Sequence, residues 1–451
     1  MKRIALPSLA ITVSLWASSA SAATRPHYGG TLHLAFSATP MSLDPAETRQ
    51  VSSVSLQSVS RLMFDTLVRL DDHGVPHAWL ASSWQAEPGN RRWQFTIRRG
   101  VTFADGSPVN PDALAASVRS ANPQWKVSPG VETVTIECGS PHPVLPAELA
   151  QARYGIAKRD KKLIGSGAFG TTNWVPGKEL TLTARDDYWN GRVFVDTIEI
   201  EFGKTSRDQM IAFDVGKLDL VEAPAESVFN ARDHRIERSA PVEWIGLVFT
   251  RNPLPEENGL REALSLSIDR PTINNVLLRG AAEITGSLLP QWMSGYSFLL
   301  PAKTDFDRAR QLRNDSLQSS PMTLSFDASD PLLRLIAERI ALNAKDAGIK
   351  IQLTSASPSD IRLLRLTPSN VDPHVALADL LARMSLPAPA FDNTSMASLF
   401  AAEKAVLDSQ RLIPLFALRS TVALGNAARG WQEHHDGQWP LENVWLAMGT
   451  P

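Results

Sequence analysis

The stretch Arg185-Asp186-Asp187-Tyr188-Trp189-Asn190-Gly191 decides the fold of this chain. It is preceded by a glycine-rich segment, Gly165-Ser166-Gly167-Ala168-Phe169, and by Leu180-Thr181-Leu182-Thr183, whose strict alternation predicts a β-strand. Tyr188 and Trp189 are large amphipathic residues beside a turn, and such residues bridge a hydrophobic core and its polar rim. The stretch therefore predicts strand and turn architecture rather than a catalytic site.

A second stretch of the same kind lies further upstream, Arg98-Arg99-Gly100-Val101-Thr102-Phe103-Ala104-Asp105-Gly106-Ser107-Pro108-Val109. Its Asp105-Gly106 pair supplies a backbone conformation with positive φ, which predicts a tight turn. The aromatic residues Trp84, Trp93 and Phe103 are of types that are usually buried. We therefore expect them in the core rather than against a ligand.

The N-terminus has the pattern of a secretory signal. A basic start, Lys2-Arg3, precedes an apolar run from Ile4 to Trp16, and small residues follow to Ala20-Ser21-Ala22. This order predicts a leader over residues 1–22 that is cleaved after Ala22. The alternative, a transmembrane anchor, needs roughly 20 apolar residues, and the run is shorter than that. No cysteine stands at the cleavage site to carry a lipid, so we expect a soluble, exported mature chain.

Composition bounds the class of protein. The chain has 451 residues, of which 43% are hydrophobic and 20% charged, and this fits a globular protein of roughly two or three domains. The formal net charge is −2, and removing the two positive charges of Lys2 and Arg3 makes it −4. So weak a field argues against a nucleic-acid partner. The single cysteine, Cys138, has no partner for an internal disulfide, so the exported chain must rely on a large core.

Strand and helix patterns alternate along the chain. The predicted strands cover residues 30–36, 83–86, 92–97, 195–202, 218–221, 244–250, 322–326 and 349–353, and the predicted helices cover 51–63, 111–120, 207–215, 260–268 and 332–347. Asn110 before Pro111 has the pattern of a helix N-cap. Gly348 is the residue type expected just after the end of the last of these helices. The order predicts a large mixed α/β protein.

Seven short blocks follow one another along the chain. They are Gly29-Gly30-Thr31-Leu32, Ser42-Leu43-Asp44-Pro45, Leu80-Ala81-Ser82-Ser83-Trp84, Arg98 through Val109, Arg261 through Arg270, Ile413-Pro414-Leu415-Phe416 and Asn443-Val444-Trp445. Together with the Arg185–Gly191 stretch, they resemble in type and order the family 5 extracellular solute-binding proteins. These are the dipeptide- and oligopeptide-binding receptors of ABC importers. Each block alone is weak, but the ordered set spans most of the mature chain.

The resemblance implies a two-lobed periplasmic-binding-protein (clamshell) fold, an α/β fold with mixed sheets that is class II-like with a reduced extra subdomain. The implied divisions are residues 23–245 and 418–451 for lobe I, with a short subdomain at about 45–165, and residues 246–417 for lobe II. Two strands, near Trp244–Thr250 and Ile413–Leu418, would cross between the lobes. A ligand bound in the cleft would shift the open–closed equilibrium through its greater affinity for the closed state, without bond chemistry.

The resemblance also implies candidate ligand-binding residues. The first loop offers Thr39-Pro40-Met41, whose counterparts line the ligand groove of the family. Trp292 is a candidate to stack on a ligand, and the alternative is an ordinary packed loop tryptophan. The family carries an acidic residue for the peptide amino group in a segment that resembles "GWxADYxDP". The corresponding stretch keeps Ala378-Asp379 but lacks the tryptophan and the "DP". Asp379 is therefore a candidate ammonium anchor or, alternatively, an exposed helix residue.

Two other constellations compete with this interpretation. Glu433-His434-His435-Asp436 is dense in potential metal ligands, but adjacent residues without i, i+4 spacing favour a solvated loop. The segment Gly165–Gly170 lacks the Lys-Ser/Thr that follows a phosphate-binding loop. No hydrolase motif such as G-x-S-x-G or H-E-x-x-H occurs. We therefore expect no catalysis, no metal and no cofactor.

The sequence predicts the periplasmic solute-binding component of an ABC importer. It would bind oligopeptides in an interlobe cleft and, as a monomer, deliver them to permease subunits in the membrane. The alternatives are the same receptor role for a nickel complex, haem, an opine or a sugar, and an exported sensor or chaperone that is not coupled to transport.

Overall fold

The computed structural model of the chain describes residues 25–47, 53–223, 235–254, 258–298, 303–314, 320–355, 358–391, 393–432 and 434–447. The predicted leader over residues 1–22 and its cleavage site after Ala22 lie outside the described residues. Within them, the chain is a mixture of helices and strands, as predicted.

The α-helices alternate with the strands along the chain. They are α1 (Val54–Met63), α2 (Pro111–Ala121), α3 (Leu145–Glu148), α4 (Ser206–Asp214), α5 (Asn258–Ser267), α6 (Arg270–Val276), α7 (Gln291–Ser294), α8 (Phe306–Asn314), α9 (Pro331–Asp346), α10 (Pro373–Arg383) and α11 (Met396–Asp408). The strands are β1 (Thr31–Ala35), β2 (Val68–Leu70), β3 (Pro76–Ala78), β4 (Ala81–Ala86), β5 (Arg92–Ile97), β6 (Lys126–Pro129), β7 (Thr133–Glu137), β8 (Ala157–Arg159), β9 (Leu163–Gly165), β10 (Phe169–Val175), β11 (Glu179–Ala184), β12 (Thr197–Glu201), β13 (Leu220–Ala223), β14 (Arg235–Phe249), β15 (Ala282–Ile284), β16 (Met322–Ser325), β17 (Ile351–Thr354), β18 (Ile361–Leu366), β19 (Leu412–Leu424), β20 (Ala428–Arg429) and β21 (Trp445–Leu446).

Local signals in the sequence placed several of these elements. The side chain of Asn110 accepts a hydrogen bond from the amide of Ala113 over 2.9 Å, so it caps α2 as predicted. Gly348 follows α9 with φ of 78°, and Gly106 turns the second stretch with φ of 79°. Phe103 and Trp93 are buried in the core, as expected, while Trp84 is half-buried and packs against it.

One long sheet runs through the molecule. Its strand order is β10-β11-β12-β1-β13-β19-β14-β18-β16-β17, with β15 paired to β19. We call β10, β11, β12, β1 and β13 the first half-sheet, and β18, β16 and β17 the second half-sheet. Among the described strands, the two half-sheets are connected through β14 and β19 alone, which are 15 and 13 residues long. The segments predicted to cross between the lobes, near Trp244–Thr250 and Ile413–Leu418, fall at the end of β14 and the start of β19.

The register of β14 against β19 breaks where the strands pass from one half-sheet to the other. Before the break, Arg235 to Arg238 pair with Leu424 to Thr421. After it, Glu243 pairs with Leu418, and the pairing continues to Val248 opposite Leu412. Between them, Pro241 faces Arg419 across an irregularity on both sides. Proline donates no hydrogen bond to a ladder, so it weakens the pairing at this point. We call residues 239–243 and 418–420 the crossover. The lobe boundaries at 245/246 and 417/418 stay predictions.

Separate hydrophobic cores lie on either side of the crossover. The core of the first half-sheet includes Leu34, Leu182 and Ile198, and the sheet β4-β5-β7-β6 has its own core around Phe95 and Val134. Two more cores pack on the second side, one with α5 and α9 and one with α10 and α11. Separate cores joined by two strands are the physical condition for movement about the crossover.

Asp65 explains the position of Tyr188 and Trp189 in the stretch Arg185–Gly191. Its carboxylate is buried and accepts hydrogen bonds from the hydroxyl of Tyr188 at 2.8 Å and from the indole N–H groups of Trp79 at 2.7 Å and Trp189 at 3.1 Å. Burial raises the pKa of this carboxyl, while the charge of Arg69 and these three donors oppose the shift. Tyr188 and Trp189 therefore join the first half-sheet to the smaller β4-β5-β7-β6 unit, which is a structural role.

The glycine-rich segment before β10 is explained by packing. A Cβ atom on Gly165 would lie 1.8 Å from the carbonyl oxygen of Met63, and one on Gly167 would lie 2.3 Å from that of Leu62. The segment thus approaches the last turn of α1 more closely than any side chain allows.

Candidate ligand-binding cleft

The parallel strands of both half-sheets run with their carboxyl ends toward the crossover. Strand β1 runs parallel to β12 and β13, and β16 runs parallel to β17 and β18. Along β13, Leu220 pairs with Leu424 and Ala223 with Thr421, so the strand runs toward the crossover. Strand β18 is antiparallel to β14 and ends at Leu366 opposite Trp244, so it runs toward the crossover from the other side. In open α/β sheets, ligands bind outside the carboxyl ends of parallel strands. Here two such edges, the carboxyl ends of β1, β12 and β13 and those of β16, β17 and β18, face each other across the crossover. We call the space between them the gap.

A cluster of charged side chains stands at the crossover end of this gap. Glu222 lies on β13, Glu243 on β14 and Arg365 on β18, while Asp330 caps the N-terminus of α9. The Nε atom of Arg365 donates to Oε2 of Glu243 over 2.6 Å, and its terminal nitrogen lies 3.4 Å from Oδ2 of Asp330. Arg365 of the second half-sheet thus contacts two carboxylates, and its charge also acts on Glu222 of the first half-sheet.

Glu222 is perturbed by this setting. Burial, followed by the charge of Glu243, raises the pKa of its carboxyl to about 7, and Arg365 and Ser55 only partly oppose the shift. A carboxyl with a pKa near 7 carries a proton part of the time at neutral pH. The cluster is therefore short of positive charge, and a cation in the gap would favour the ionised form of Glu222.

A cavity of about 380 Å³ opens between α10 and the segment 140–153 of the smaller unit. Asp379 of α10 lines it opposite Arg153. The Oδ2 atom of Asp379 accepts the amide of Ser369 at 3.3 Å and lies 3.5 Å from the guanidinium of Arg383. Within the described part of the chain, its Oδ1 atom has no hydrogen-bond partner. The structure thus places Asp379 half-buried on a cavity wall with spare acceptor capacity.

The other acid of this cavity is already saturated. Glu148 accepts hydrogen bonds from His142 at 2.7 Å, from Arg153 at 2.5 Å and from the hydroxyl of Tyr154 at 2.6 Å. Burial alone would raise the pKa of Glu148, but the His142 hydrogen bond and the charge of Arg153 hold it below its usual value. Glu148 is therefore ionised and fully engaged, whereas Asp379 is free to take a further donor.

Direct contacts join the two sides next to this cavity. The side-chain amide of Gln151 donates to the hydroxyl of Ser369 over 2.5 Å, and that of Asn370 donates to the carbonyl of Ala147 over 2.8 Å. Val144 and Val375 pack in one small apolar cluster. These contacts belong to a state in which the two sides touch.

Trp292 lies at the crossover itself. It stands in the short helix α7, and its indole N–H donates to the carbonyl of Pro241 over 2.8 Å. Its ring meets the exposed His435 edge-on at 5.7 Å. Because the indole nitrogen is engaged and the ring is half-buried, Trp292 connects the second side to the crossover and to the C-terminal segment.

The first loop follows the carboxyl end of β1. The carbonyl of Pro40 accepts the amide of Gly177 at 2.8 Å, and the methyl group of Thr39 lies against Gly203. Met41 is 65% exposed, next to Gly177. The structure therefore places Thr39, Pro40 and Met41 at the gap edge of the first half-sheet. The contacts just given do not bring them to Asp379 or Trp292.

The candidate metal cluster is only partly described, because Glu433 lies outside the described residues. His434 lies 2.9 Å from a carboxylate oxygen of Asp72, and Asp436 accepts the amide of Gln438. Among the described residues, no group of three His, Cys, Asp or Glu side chains is arranged to hold a metal ion.

Sequence reasoning missed Glu222, Glu243, Arg365 and Arg153. The available signal was a charged residue inside an otherwise apolar strand, as in Leu220–Ala223 and Pro241–Phe249, since an ionised group in such a strand needs a partner. The pattern could not say which partner.

Comparison with known proteins identifies relatives. Residues 75–395 match the family described as "Bacterial extracellular solute-binding proteins, family 5 Middle". The chain is 23% identical over 368 residues to the "Probable D,D-dipeptide-binding periplasmic protein DdpA" of Escherichia coli, covering 72% of this chain and 70% of the relative. It is 24% identical over 322 residues to the oligopeptide-binding protein OppA of Bacillus subtilis (59% and 57%) and 20% identical over 315 residues to the nickel-binding protein NikA of Staphylococcus aureus (64% of each).

Solved structures share the fold. The chain superposes on the agropinic acid complex of AgaA from A. tumefaciens with a TM-score of 0.79 and 19% identity, covering 93% of this chain and 99% of the other. A dipeptide-binding protein from Pseudoalteromonas in complex with Met-Leu gives 0.79 at 16% identity, covering 93% and 100%. NikA of Staphylococcus aureus with Ni(L-His)2 gives 0.75 at 16% identity, covering 92% and 100%. These likenesses confirm the predicted two-lobed fold class. Among the described residues, no helix has both the length and the apolar character needed to cross a bilayer.

Proposed function

We propose, because the chain belongs to the bacterial extracellular solute-binding proteins of family 5, that it is the periplasmic binding component of an ABC importer and that its solute is an oligopeptide. The solute would lie in the gap between the facing half-sheets. The protein would act as a monomer and hand the solute to permease subunits. No bond in the solute would be made or broken.

The observation that carries the choice of a peptide is the negative charge at the crossover and in the cavity lined by Asp379. Among the described residues, one carboxylate oxygen of Asp379 has no hydrogen-bond partner, and Arg365 is bonded to Glu243 and Asp330 while its charge also acts on Glu222. A solute with an ammonium group supplies the missing positive charge, and an ion pair in a partly desolvated gap is stronger than one at the surface. We propose Asp379 as the anchor for the peptide amino group, as the family resemblance implies.

The mechanism follows from geometry and population shift. The Gln151–Ser369 and Asn370–Ala147 hydrogen bonds form only when the two sides touch. A solute that contacts both half-sheets gains more interactions in this closed state than in an open one, and so shifts the equilibrium toward closure. The permease would then recognise the closed arrangement.

Thr39, Pro40, Met41 and Trp292 remain proposed contributors to the binding site. The first loop has carbonyl and methyl groups at the gap edge, which suit an extended peptide without regard to its side chains. The ring of Trp292 would pack against the solute near the crossover, while its N–H stays on Pro241.

Calorimetric titration with peptide libraries of two to five residues tests the proposal. We expect binding by the wild type and a loss of about tenfold or more in Asp379→Asn, since a charge-assisted hydrogen bond contributes about 1.5–3 kcal/mol. N-acetylated peptides should bind the wild type as weakly as free peptides bind the variant. Asp346→Asn, at the exposed end of α9, is the control.

The same titration decides the alternatives. If no peptide binds but an opine, a sugar, haem or a nickel complex does, the peptide proposal fails and the receptor role stands. If a solute binds but no permease is captured from membranes by the loaded protein, the sensor or chaperone role replaces the importer role.

A further inference from the structure

The motif Arg261 through Arg270 was singled out by the sequence, and the proposed cleft does not use it. It spans most of α5 and the start of α6, on the side of β19 that lies beyond the crossover. Arg270 is the largest fully buried side chain of the described residues, at 2% exposure. A buried arginine ordinarily has a carboxylate partner.

Within the described residues, Arg270 has no such partner. Its guanidinium donates to the carbonyl of Ser265 at 2.9 Å, to the hydroxyl of Ser265 at 3.2 Å and to the carbonyl of Pro414 at 3.3 Å. Its Nε–H has no acceptor, and no carboxylate of the described residues lies within ion-pair distance of it. Burial, with no opposing charge, lowers the pKa of Arg270 to about 10.

Arg270 and the two residues that accept hydrogen bonds from its guanidinium, Ser265 and Pro414, line one cavity of about 470 Å³. One wall is apolar, formed by Leu407, Leu412, Ile413 and Pro414, and Arg270 is on its polar wall. This volume is in the range of small-molecule sites. A buried guanidinium beside an open cavity is a built site for an anion, because the anion removes the cost of the unpaired charge.

The lining restricts the class of anion. Arg261 also lines the cavity, and its guanidinium donates to the backbone carbonyls of Gln410 and Arg251. Glu262 and Asp408 stand at the same cavity, and Asp408 is held by Lys404. These acids disfavour a ligand with several negative charges, and the apolar wall favours one with a hydrocarbon body. We propose that this cavity is a second ligand site, separate from the cleft, which binds a small organic monocarboxylate with its carboxylate on Arg270.

The site has a structural connection to the crossover. Leu412, Ile413 and Pro414 belong to β19, the strand that continues through residues 418–420 into the first half-sheet. A carboxylate that holds Arg270 and packs on this strand therefore fixes one end of a strand that spans both sides.

The test uses 4-fluorobenzoate and the whole mature protein, followed by fluorine NMR. We expect saturable binding to the wild type, and binding weaker by about tenfold or more for neutral 4-fluorobenzamide and for Arg270→Met, since each removes a charge-assisted hydrogen bond. Arg334→Met, on the exposed face of α9, is the matched control and should bind as the wild type does.

Crystals of the wild type grown with 4-bromobenzoate keep the test independent of the stability of Arg270→Met. The inference predicts an anomalous bromine peak in the cavity beside Leu412 and Pro414. The proposal is overturned if 4-fluorobenzoate does not bind in solution at millimolar concentration, even where bromine appears in the cavity of the crystals, which would be binding at crystal concentration only. It is also overturned if the amide binds equally well or if bromine appears only in the cleft. None of these results touches the proposal for the cleft, whose test uses peptides and Asp379.

Discussion

The guanidinium of Arg365 reaches Glu243 with its Nε atom 2.6 Å from Oε2, and this ion pair ties the carboxyl end of β18 to the strand that leads through the crossover. The two partners differ in exposure: the side chain of Arg365 is 34% exposed and that of Glu243 is 10% exposed. The arginine therefore remains partly accessible, while the more deeply buried carboxylate depends on the arginine for its charge balance.

Removing this arginine should weaken the protein more at high pH than at low pH. Arg365→Met leaves Glu243 without its cation, and we expect a loss of about 1–3 kcal/mol in the free energy of unfolding at pH 8. At pH 5 the loss should be smaller, because Glu222, with a pKa of about 7, is then protonated and the cluster holds one negative charge fewer. Urea unfolding at both pH values measures the difference.

The control for this prediction is Arg334→Met, which breaks the exposed pair with Glu338 on α9. Exposed pairs of this kind contribute about 0.3–0.5 kcal/mol. Equal losses in the two variants, or a loss in Arg365→Met that does not depend on pH, would contradict the assignment of the cluster.

Glu222 should make the folded protein less stable as the pH rises. Its pKa is raised from 4.5 to about 7 by burial and by Glu243, so the folded state holds this proton more tightly than the unfolded chain does. The corresponding stabilisation is fully present below about pH 4.5 and is lost as the pH passes through about 7. This stabilisation is about 1–3 kcal/mol, and the upper value corresponds to the full shift in the pKa of Glu222.

The variant Glu222→Gln lacks this titration. We expect its melting temperature to gain on that of the wild type steadily between pH 5 and pH 8, as followed by circular dichroism. A difference in melting temperature that stays constant over this range would show that Glu222 does not titrate there.

Asp65 should stabilise the contact between the first half-sheet and the smaller unit. In Asp65→Asn, an amide NH₂, which cannot accept a hydrogen bond, replaces one carboxylate oxygen, so either Trp189 or the pair Trp79 and Tyr188 loses its acceptor. We expect a loss of about 1–3 kcal/mol in the free energy of unfolding, with peptide binding retained by the folded fraction.

Asp186→Asn is the matched control for this substitution. The side chain of Asp186 is 88% exposed and pairs with Arg192 at the surface, so its replacement should cost less than about 1 kcal/mol. Equal losses of stability for Asp65→Asn and Asp186→Asn in denaturant titrations would show that the hydrogen bonds to Asp65 do not hold the first half-sheet and the smaller unit together.

Local chemistry made much of the fold predictable. The Asn110-Pro111 start of α2 and the Gly348 end of α9 are set by residues within one turn of the boundary. Strand β14 was predicted only for residues 244–250, because its first half contains Arg235, Glu237 and Arg238 and lacks apolar alternation. That half is held by pairing to β19, about 190 residues away along the chain, as Arg235 opposite Leu424 shows.

The site was less predictable than the fold. Asp379 was found through the family resemblance, and the structure places it on a cavity wall. Its neighbour across that cavity, Arg153, comes from a segment more than 220 residues earlier. No periodicity or spacing in the sequence predicts that such residues meet, because the topology of the sheet brings them together. The roles of Asp379, Trp292 and the first loop as ligand contacts stay predictions.

Trp292 offers a test that separates its hydrogen bond from its ring. Trp292→Phe loses the donor to Pro241 but keeps an aromatic face, whereas Trp292→Ala loses both. If the ring packs on the solute, we expect affinity for the best library peptide to fall by less than about threefold in the first variant. In the second, it should fall by about tenfold or more. Calorimetry gives both values, and similar losses in the two variants would assign Trp292 to the crossover alone.

Closure of the two sides on a solute is tested most directly by the rate at which a short bis-maleimide joins Gln151→Cys to Ser369→Cys, since these side chains meet at 2.5 Å across the gap. Burial and Glu148 raise the pKa of the native Cys138 thiol to about 12, which keeps it unreactive at pH 7. We expect rapid, complete cross-linking when a tryptic digest of casein is added, and slow cross-linking after the protein has been stripped of solute by unfolding and refolding. The same rate under both conditions would contradict closure on a solute.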